Sequence, residues 1–252
     1  MKTIGKIFWG FYLIVFFLPL AILATMLTAL TTIVMCGIGN HRFWGYIPGK
    51  YWSKIMCALA FVTVEVKGNE YLNPNQSYIF AANHQSLYDV FLIYGWIGFS
   101  FKWIMKKELR KIPFVGSACK AAGHIFMDRE NPIKALHSIE NAKKILTQGV
   151  SLAIFPEGSR TRTGNIGKFK RGAFQIAKDV QLPIVPVTID GGYTIMPFSR
   201  IYPVPGKLTL TIHPPVSFSP ASHDEELKMI DNIRRSDYSS SLPIKRKSLN
   251  LY

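Results

Sequence analysis

Three things are scarce in this chain, and each scarcity removes a class of answer. Cysteine occurs only three times in 252 residues, as Cys36, Cys57 and Cys119, with no paired spacing. That excludes a disulfide-stapled scaffold and a cysteine-built metal site, and it fits a reducing compartment. Acidic residues number 15 against 30 Lys and Arg, a formal net charge of +15. Such an excess predicts an anionic partner: nucleic acid, an anionic lipid surface or a phosphorylated substrate. Charge of either sign is missing altogether from Ile7 to Asn40. There is also no glycine-rich phosphate loop, dinucleotide fingerprint or internal repeat, so nothing suggests use of ATP.

What is present begins with that uncharged stretch. The length allows one substantial domain plus a membrane anchor, and 48% of the residues are hydrophobic. As helix, residues 7–40 would extend about 51 Å, more than a hydrocarbon core of about 30 Å. Pro19 sits mid-segment, where it is expected to kink or break a helix. Two arrangements fit: one long tilted helix, or a hairpin of two short helices that dips into the membrane and returns. Lys2 and Lys6 precede the stretch, and Arg42, Lys50 and Lys54 follow it. Positive charge on both sides favours the hairpin, because positive charge tends to stay cytoplasmic. The stretch is too long for a secretory h-region of about 7–15 residues. Trp44, Tyr46, Tyr51 and Trp52 then appear among basic residues. Such a mixture suits a headgroup interface, or a helix packed on the domain by one face.

After Lys67 the pattern alternates. Tyr78–Ala82, Phe99–Met105, Leu152–Phe155, Ile184–Ile189 and Leu208–Ile212 read as strands. Helical stretches lie between them, the clearest from the N-cap Asn131 and Pro132 to Gly149. A last helix is expected over Asp224–Arg234. The fold class is α/β, a mixed sheet flanked by helices. The expected organisation is an anchoring region over 1–64, a domain over 65–235, and a mobile Ser- and Lys-rich tail over 236–252.

The segment Asn83-His84-Gln85-Ser86-Leu87-Tyr88-Asp89 follows a strand and precedes a helix. Ser86 fits an N-cap with an acidic residue three positions later. On a regular helix a separation of five splays two side chains by about 140°. With His84 in the turn before the helix, its ring can fold back onto Asp89, and the helix N-terminus favours negative charge there. An imidazole held by a carboxylate is a general base. No serine or cysteine nucleophile is needed if an acceptor hydroxyl itself attacks. Taken alone, the pair would read as a capping turn with an incidental histidine, so its company decides.

That company is Phe155-Pro156-Glu157-Gly158-Ser159-Arg160. Pro156 and Gly158 make a tight exit from a strand, which leaves Glu157 and Arg160 at the strand's carboxyl end, where α/β sheets bind ligands. Lys168, Lys170 and Arg171 follow in a glycine-containing loop and can neutralise a phosphate, although Lys168 or Lys170 alone reads equally well as a solvated cation. His41, His137, His213 and His223 show no metal-ligand spacing.

Here the sequence resembles the glycerolipid acyltransferase family, and within it the bacterial 1-acylglycerol-3-phosphate (lysophosphatidic acid) acyltransferases. Four blocks occur in the family's order over roughly residues 65–215. Asn83–Asp89 matches the Asn-His-x4-Asp block. Gly123–Arg129 resembles the second, with Lys106 and Ile112-Pro113 upstream; His124 lies in it but not at its binding position. Phe155–Arg160 matches the third, with Ser159 where threonine is more usual. Ile184-Val185-Pro186-Val187 resembles the fourth, which is equally a buried strand.

The resemblance implies that His84 deprotonates an acceptor hydroxyl and Asp89 orients it. Arg129 and Arg160 would bind the acceptor phosphate, with Lys106, Ser159, Lys168 and Arg171 in the same substrate-binding group. Glu157 and Gly158 would hold the glycerol part. The acceptor would be a lysophospholipid acylated at the sn-2 hydroxyl to give phosphatidic acid in phospholipid biosynthesis. The donor would be an acyl thioester, on CoA or on acyl-carrier protein, with no metal or other cofactor. The expected place is the cytoplasmic face of a cell inner membrane, where anionic lipid meets the basic surface, and nucleic acid is not an expected partner. Glycerol 3-phosphate or a lyso-ornithine lipid is the alternative acceptor. A basic membrane-binding module without chemistry would leave the His84, Glu157 and Arg160 blocks unexplained. A metal-dependent phosphohydrolase would lack further ligands near His84 and Asp89.

Overall fold

A computed structural model describes residues 3–128, 140 and 150–239. Ile4–Ile38 is one continuous helix, long and apolar enough to cross a membrane. Of the two arrangements the long helix is therefore the one that forms, and the hairpin within the first forty residues is not. Pro19 is absorbed without a break. The rod consists of α1 (Thr3–Tyr12), a π-helical turn over Leu13–Phe17, and α2 (Leu18–Ile38). Pro19 has no N–H for the carbonyl of Val15, and its ring would crowd that carbonyl. Widening the preceding turn, so that Leu18 N–H reaches back to Leu13 O, relieves both problems.

The rod inverts the usual soluble-protein pattern. Its buried residues are small: Ala21, Ala29, Thr32 and Cys36. Its large side chains, among them Ile22, Leu23, Leu27 and Leu30, are exposed. Small residues let helix backbones approach closely where lipid surrounds the rest. The stripe packs on α4 (Ile47–Leu59) and α6 (Val115–Ala121). Trp52 Nε1 donates to Thr25 Oγ1 at 3.0 Å. Short α3 (His41–Trp44) turns the chain between α2 and α4, with the Asn40 side chain accepting from the Arg42 and Phe43 N–H groups. The interfacial aromatics divide by face. Tyr46 is buried and stacked on Tyr94, and Trp52 packs edge-on against Phe91, whereas Tyr51 is exposed.

The sheet has seven strands: β1 (Val62–Lys67), β2 (Ile79–Ala82), β3 (Phe101–Lys106), β4 (Ile125–Met127), β5 (Ser151–Ile154), β6 (Ile184–Asp190) and β7 (Gly206–Ile212). Their order is β1-β7-β6-β2-β5-β3-β4. The run β6-β2-β5-β3-β4 is parallel throughout, and β7 is antiparallel to β6. Central strands of a parallel sheet are covered on both faces, and Phe80, Leu152 and Val185 are completely buried, each such side chain contributing about 2 kcal/mol of burial. Pro186 is tolerated inside β6 because the β7 ladder ends at the Val187–Ile212 pair beside it.

Helices α5 (Tyr88–Trp96), α7 (Gly172–Val180), α8 (Gly192–Ile195) and α9 (His223–Ser239) complete the described fold. Two strands escape the sequence reading, β1 and β4. The last helix runs past its expected end at Arg234. The helix expected over Asn131–Gly149 lies outside the described residues, apart from Glu140.

Candidate active site

Five consecutive parallel strands deliver their carboxyl ends to one edge of the sheet, and the sequence blocks sit at those ends. β2 runs into Asn83 and His84, β5 into Phe155 and Glu157, β3 ends at Lys106, and β6 leads to Gly191 and Gly192. β4 leads towards Arg129, which lies outside the described residues.

The His84 turn is built from its own backbone. Asp89, in the first turn of α5 and fully buried, gathers three donors on Oδ2. These are Gln85 N–H at 2.5 Å, Ser86 N–H at 2.7 Å and His84 Nδ1 at 2.9 Å. Ser86 Oγ in return accepts the Tyr88 N–H at 3.2 Å and donates to Met196 O at 2.9 Å. Asp89 thus takes the Ser86 N–H as the Ser86–Asp89 spacing predicts, but Ser86 Oγ takes the Tyr88 N–H and the N-cap position falls on Leu87, one residue later than expected. A carboxylate only accepts, so His84 Nδ1 carries the hydrogen and Nε2 presents its lone pair. Asp89 Oδ1 is buried without a hydrogen-bond partner among the described residues. A carboxylate so sparsely solvated attracts an imidazolium more strongly than one in water.

The third block clamps His84 from the other side. Glu157 Oε1 accepts the His84 N–H at 2.7 Å and Oε2 accepts the Gly167 N–H at 2.7 Å, while Thr161 N–H donates to His84 O at 2.8 Å. Glu157 is buried. That burial pushes its carboxyl above the usual range, against the pull of the two N–H donors. Glu157 therefore acts on the main chain of His84. The turn that brings it there closes with Gly158 N–H on Phe155 O at 2.9 Å, and Gly158 takes φ of +79°, which favours glycine. The His84 ring lies flat on Phe155, centroids 3.9 Å apart and planes 9° from parallel.

The cations differ in setting. The guanidiniums of Arg160 and Arg162 lie 5.1 and 5.2 Å from the centroid of the Phe198 ring. Lys106, Ser159, Lys168 and Lys170 are exposed. Arg171 is also exposed, and its Nε is tied to Glu226 at 2.8 Å. Ile184, Val185 and Val187 of the fourth block are buried in mid-sheet. No group of three or more His, Cys, Asp or Glu that could hold a metal occurs among the described residues.

Several contributors escape a sequence reading. The Asn83 side chain pairs with the backbone of Ile189, donating to its O at 2.9 Å and accepting its N–H at 2.7 Å, and so ties the His84 turn to β6. Gly192 abuts Asp89: a Cβ there would lie 2.4 Å from Asp89 Oδ1. Phe198 holds two arginines. The only sequence signal for these was Asn83 preceding His84.

A buried carboxylate holding an imidazole at the end of a parallel strand is an arrangement that can take up a proton from a hydroxyl. The Acyltransferase family model matches residues 63–190, and the chain belongs to that family. It is 34% identical over 177 residues to mouse 1-acyl-sn-glycerol-3-phosphate acyltransferase alpha, covering 69% of this chain and 62% of that protein. It is 29% identical over 206 residues to the chloroplastic 1-acyl-sn-glycerol-3-phosphate acyltransferase LPAT1 of Arabidopsis thaliana, covering 81% of this chain and 56% of that one. The chain thus spans less than two thirds of these relatives' lengths. The crystal structure of the 1-acyl-sn-glycerophosphate (LPA) acyltransferase PlsC from Thermotoga maritima superposes with a TM-score of 0.73 at 27% identity, covering 96% of this chain and 99% of that one.

Proposed function

We propose that the chain is an O-acyltransferase that moves a fatty acyl group from an acyl thioester to the sn-2 hydroxyl of 1-acylglycerol 3-phosphate, giving phosphatidic acid. The observation that carries this reading is the His84–Asp89 pair, with Nε2 bare and the backbone of His84 gripped by the Glu157 block. His84 Nε2 takes the proton of the acceptor hydroxyl as the oxygen attacks the thioester carbonyl. The tetrahedral intermediate collapses by breaking the C–S bond, and the departing thiolate recovers the proton from the imidazolium. Asp89 stabilises that cation throughout.

Arg160 and Arg129 bind the acceptor phosphate, bidentate geometry suiting guanidinium. Lys106, Ser159, Lys168 and Arg171, the last anchored by Glu226, line the approach of the anionic substrates. Glu157 and Gly158 hold the turn on which the glycerol part rests. CoA and acyl-carrier protein are both acidic donors that suit a chain of net charge +15. The long apolar helix, with its large side chains exposed, supports attachment to the cytoplasmic face of the inner membrane. The rod over Ile4–Ile38 is the anchor, and the transferase domain takes in the whole sheet from β1 at Val62, three residues before the expected boundary at 65.

The test incubates purified protein with an acyl thioester and a panel of lysolipid acceptors, following free thiol. Release with lysophosphatidic acid and not with glycerol 3-phosphate or a lyso-ornithine lipid is expected. Release only with another acceptor would overturn the substrate and keep the reaction class.

A further inference from the structure

Between the amino-terminal helix and the loop following β6 runs a groove of about 1100 Å3 that the acyl-transfer chemistry does not use. One wall is a face of the rod carrying Lys6, Trp9, Gly10, Leu13, Phe17 and Leu18. From Lys6 to Leu18 is about 18 Å of helix axis. That wall has a cation at its start and only apolar side chains at its end. The facing wall is the loop, which contributes Thr194, Arg200, Ile201 and Tyr202.

Details of both walls point to an amphiphile. Arg200 is oriented, donating from Nη1 to Thr194 O at 3.3 Å with its guanidinium 5.9 Å from the Tyr202 ring centroid. Ile201 beside it is 91% exposed and adds an apolar side chain to the groove's rim. Trp9 is braced by a hydrogen bond to Pro203 O at 3.0 Å and by stacking on Tyr12. Gly10 leaves open space, since a Cβ there would meet nothing within 4 Å. A glycine inside a helix costs about 1 kcal/mol relative to alanine, and here its effect is to widen the groove.

We propose that this groove seats one anionic phospholipid of the membrane, its phosphate on Lys6 and Arg200 and an acyl chain along Leu13, Phe17 and Leu18, separate from the acceptor site at His84. The proposal rests on the membrane-bound acyltransferase reading for the presence of a bilayer. It matters for the site because one loop serves both places: Gly192 abuts Asp89 and Met196 O receives Ser86 Oγ, a few residues before Arg200.

The full chain is reconstituted in phosphatidylcholine vesicles doped with either phosphatidylglycerol or phosphatidylcholine brominated on its acyl chains. Quenching of Trp9 is isolated by difference from Trp9→Phe. Brominated phosphatidylglycerol is expected to quench Trp9 more strongly than brominated phosphatidylcholine at equal content. The double variant Lys6→Glu/Arg200→Glu should weaken that preference about thirtyfold, two cations' worth of attraction to anionic lipid. Gly10→Leu, which improves helix propensity while filling the groove, should remove the Trp9 quenching with the helical circular dichroism intact. Equal quenching by the two lipids, or a preference that survives both variants, would overturn the proposal. Thiol release, measured on the same vesicles, keeps the two readings apart. Selective quenching without thiol release sinks acyl transfer alone, and thiol release without selective quenching sinks the lipid seat alone.

Discussion

Two histidines lie at either end of one aromatic stack, and their surroundings make them opposites. His84 rests on Phe155, Phe155 stacks on Trp103 at 5.2 Å, and the backbone N–H of Trp103 donates to Nδ1 of His124 at 3.2 Å. At the first end the ring is partly open and its partner is a carboxylate. At the second the ring is buried between neutral groups: Nε2 faces the Tyr94 hydroxyl at 3.2 Å, and that hydroxyl donates to Gly45 O. Burial, helped by the nearby charge of Lys102, pushes the His124 imidazole down to about 3. Both residues lie in acyltransferase sequence blocks. The identity of the partner separates a base from a piece of scaffold.

The sharpest way to break this comparison is to remove each ring. His84→Ala should lower acyl transfer about a thousandfold, the loss of a positioned general base. His124→Gln should keep kcat within a few-fold and lower Tm. Thiol release and thermal unfolding in detergent measure the two. Equal loss of activity in both variants would mean that the stack, and not the carboxylate, defines the site.

Next in size is the neighbour of the carboxylate. Gly192→Ala places a methyl 2.4 Å from Asp89 Oδ1, so the carboxylate must shift and carry Nδ1 with it. A displacement of about 1 Å in a catalytic group costs on the order of a hundredfold. The expected result is that loss in kcat/KM with an unchanged circular dichroism spectrum. Retained activity would show that the pair tolerates movement and that its observed geometry is not the working one.

How much of this was legible in the sequence depends on chain separation. The Ser86–Asp89 cap and the fold-back of His84 are local, and the residue types state them. The contacts of Asp89 with Gly192 and of Asn83 with Ile189 join positions about a hundred residues apart, and no periodicity carries them. β1 alternates Val62, Val64 and Val66 with polar residues, yet it directly follows an aromatic and basic stretch that reads as membrane interface. β4 has three residues, too few for a pattern. Pro19 reads as a break because spacing cannot foresee a π-helical turn that absorbs it.

The third prediction concerns protons at the scaffold end. An ordinary histidine titrates near 6.5, and folded His124 does so near 3. Between those values the unfolded chain binds a proton that the folded one refuses, so stability falls as the pH falls through that window. One proton corresponds to about 1.4 kcal/mol per pH unit. Unfolding free energy followed from pH 6.5 down towards 4 should lose that slope in His124→Gln. An unchanged slope would assign the acid sensitivity to other groups; the raised Glu157 is not among them, because its contribution has the opposite sign and is lost as the pH rises.

The smallest expected effect tests the cations at the catalytic end. Phe198 is half exposed, and both Arg160 and Arg162 lie over its ring. An exposed cation–π contact is worth about 0.5–1 kcal/mol, and the ring's larger role is to keep two mobile side chains aimed together. Phe198→Ala should therefore raise KM for the lysolipid about three- to tenfold and leave kcat nearly unchanged, because the ring touches no reacting atom. Phe198→Tyr, which keeps the aromatic face, should restore KM, whereas Phe198→Leu, which keeps only bulk, should not. If kcat fell instead, the loop would be acting through Met196 and Ser86 on the His84 turn. The arginines would then be bystanders, and the catalytic end would extend as far along this loop as the stack extends towards His124.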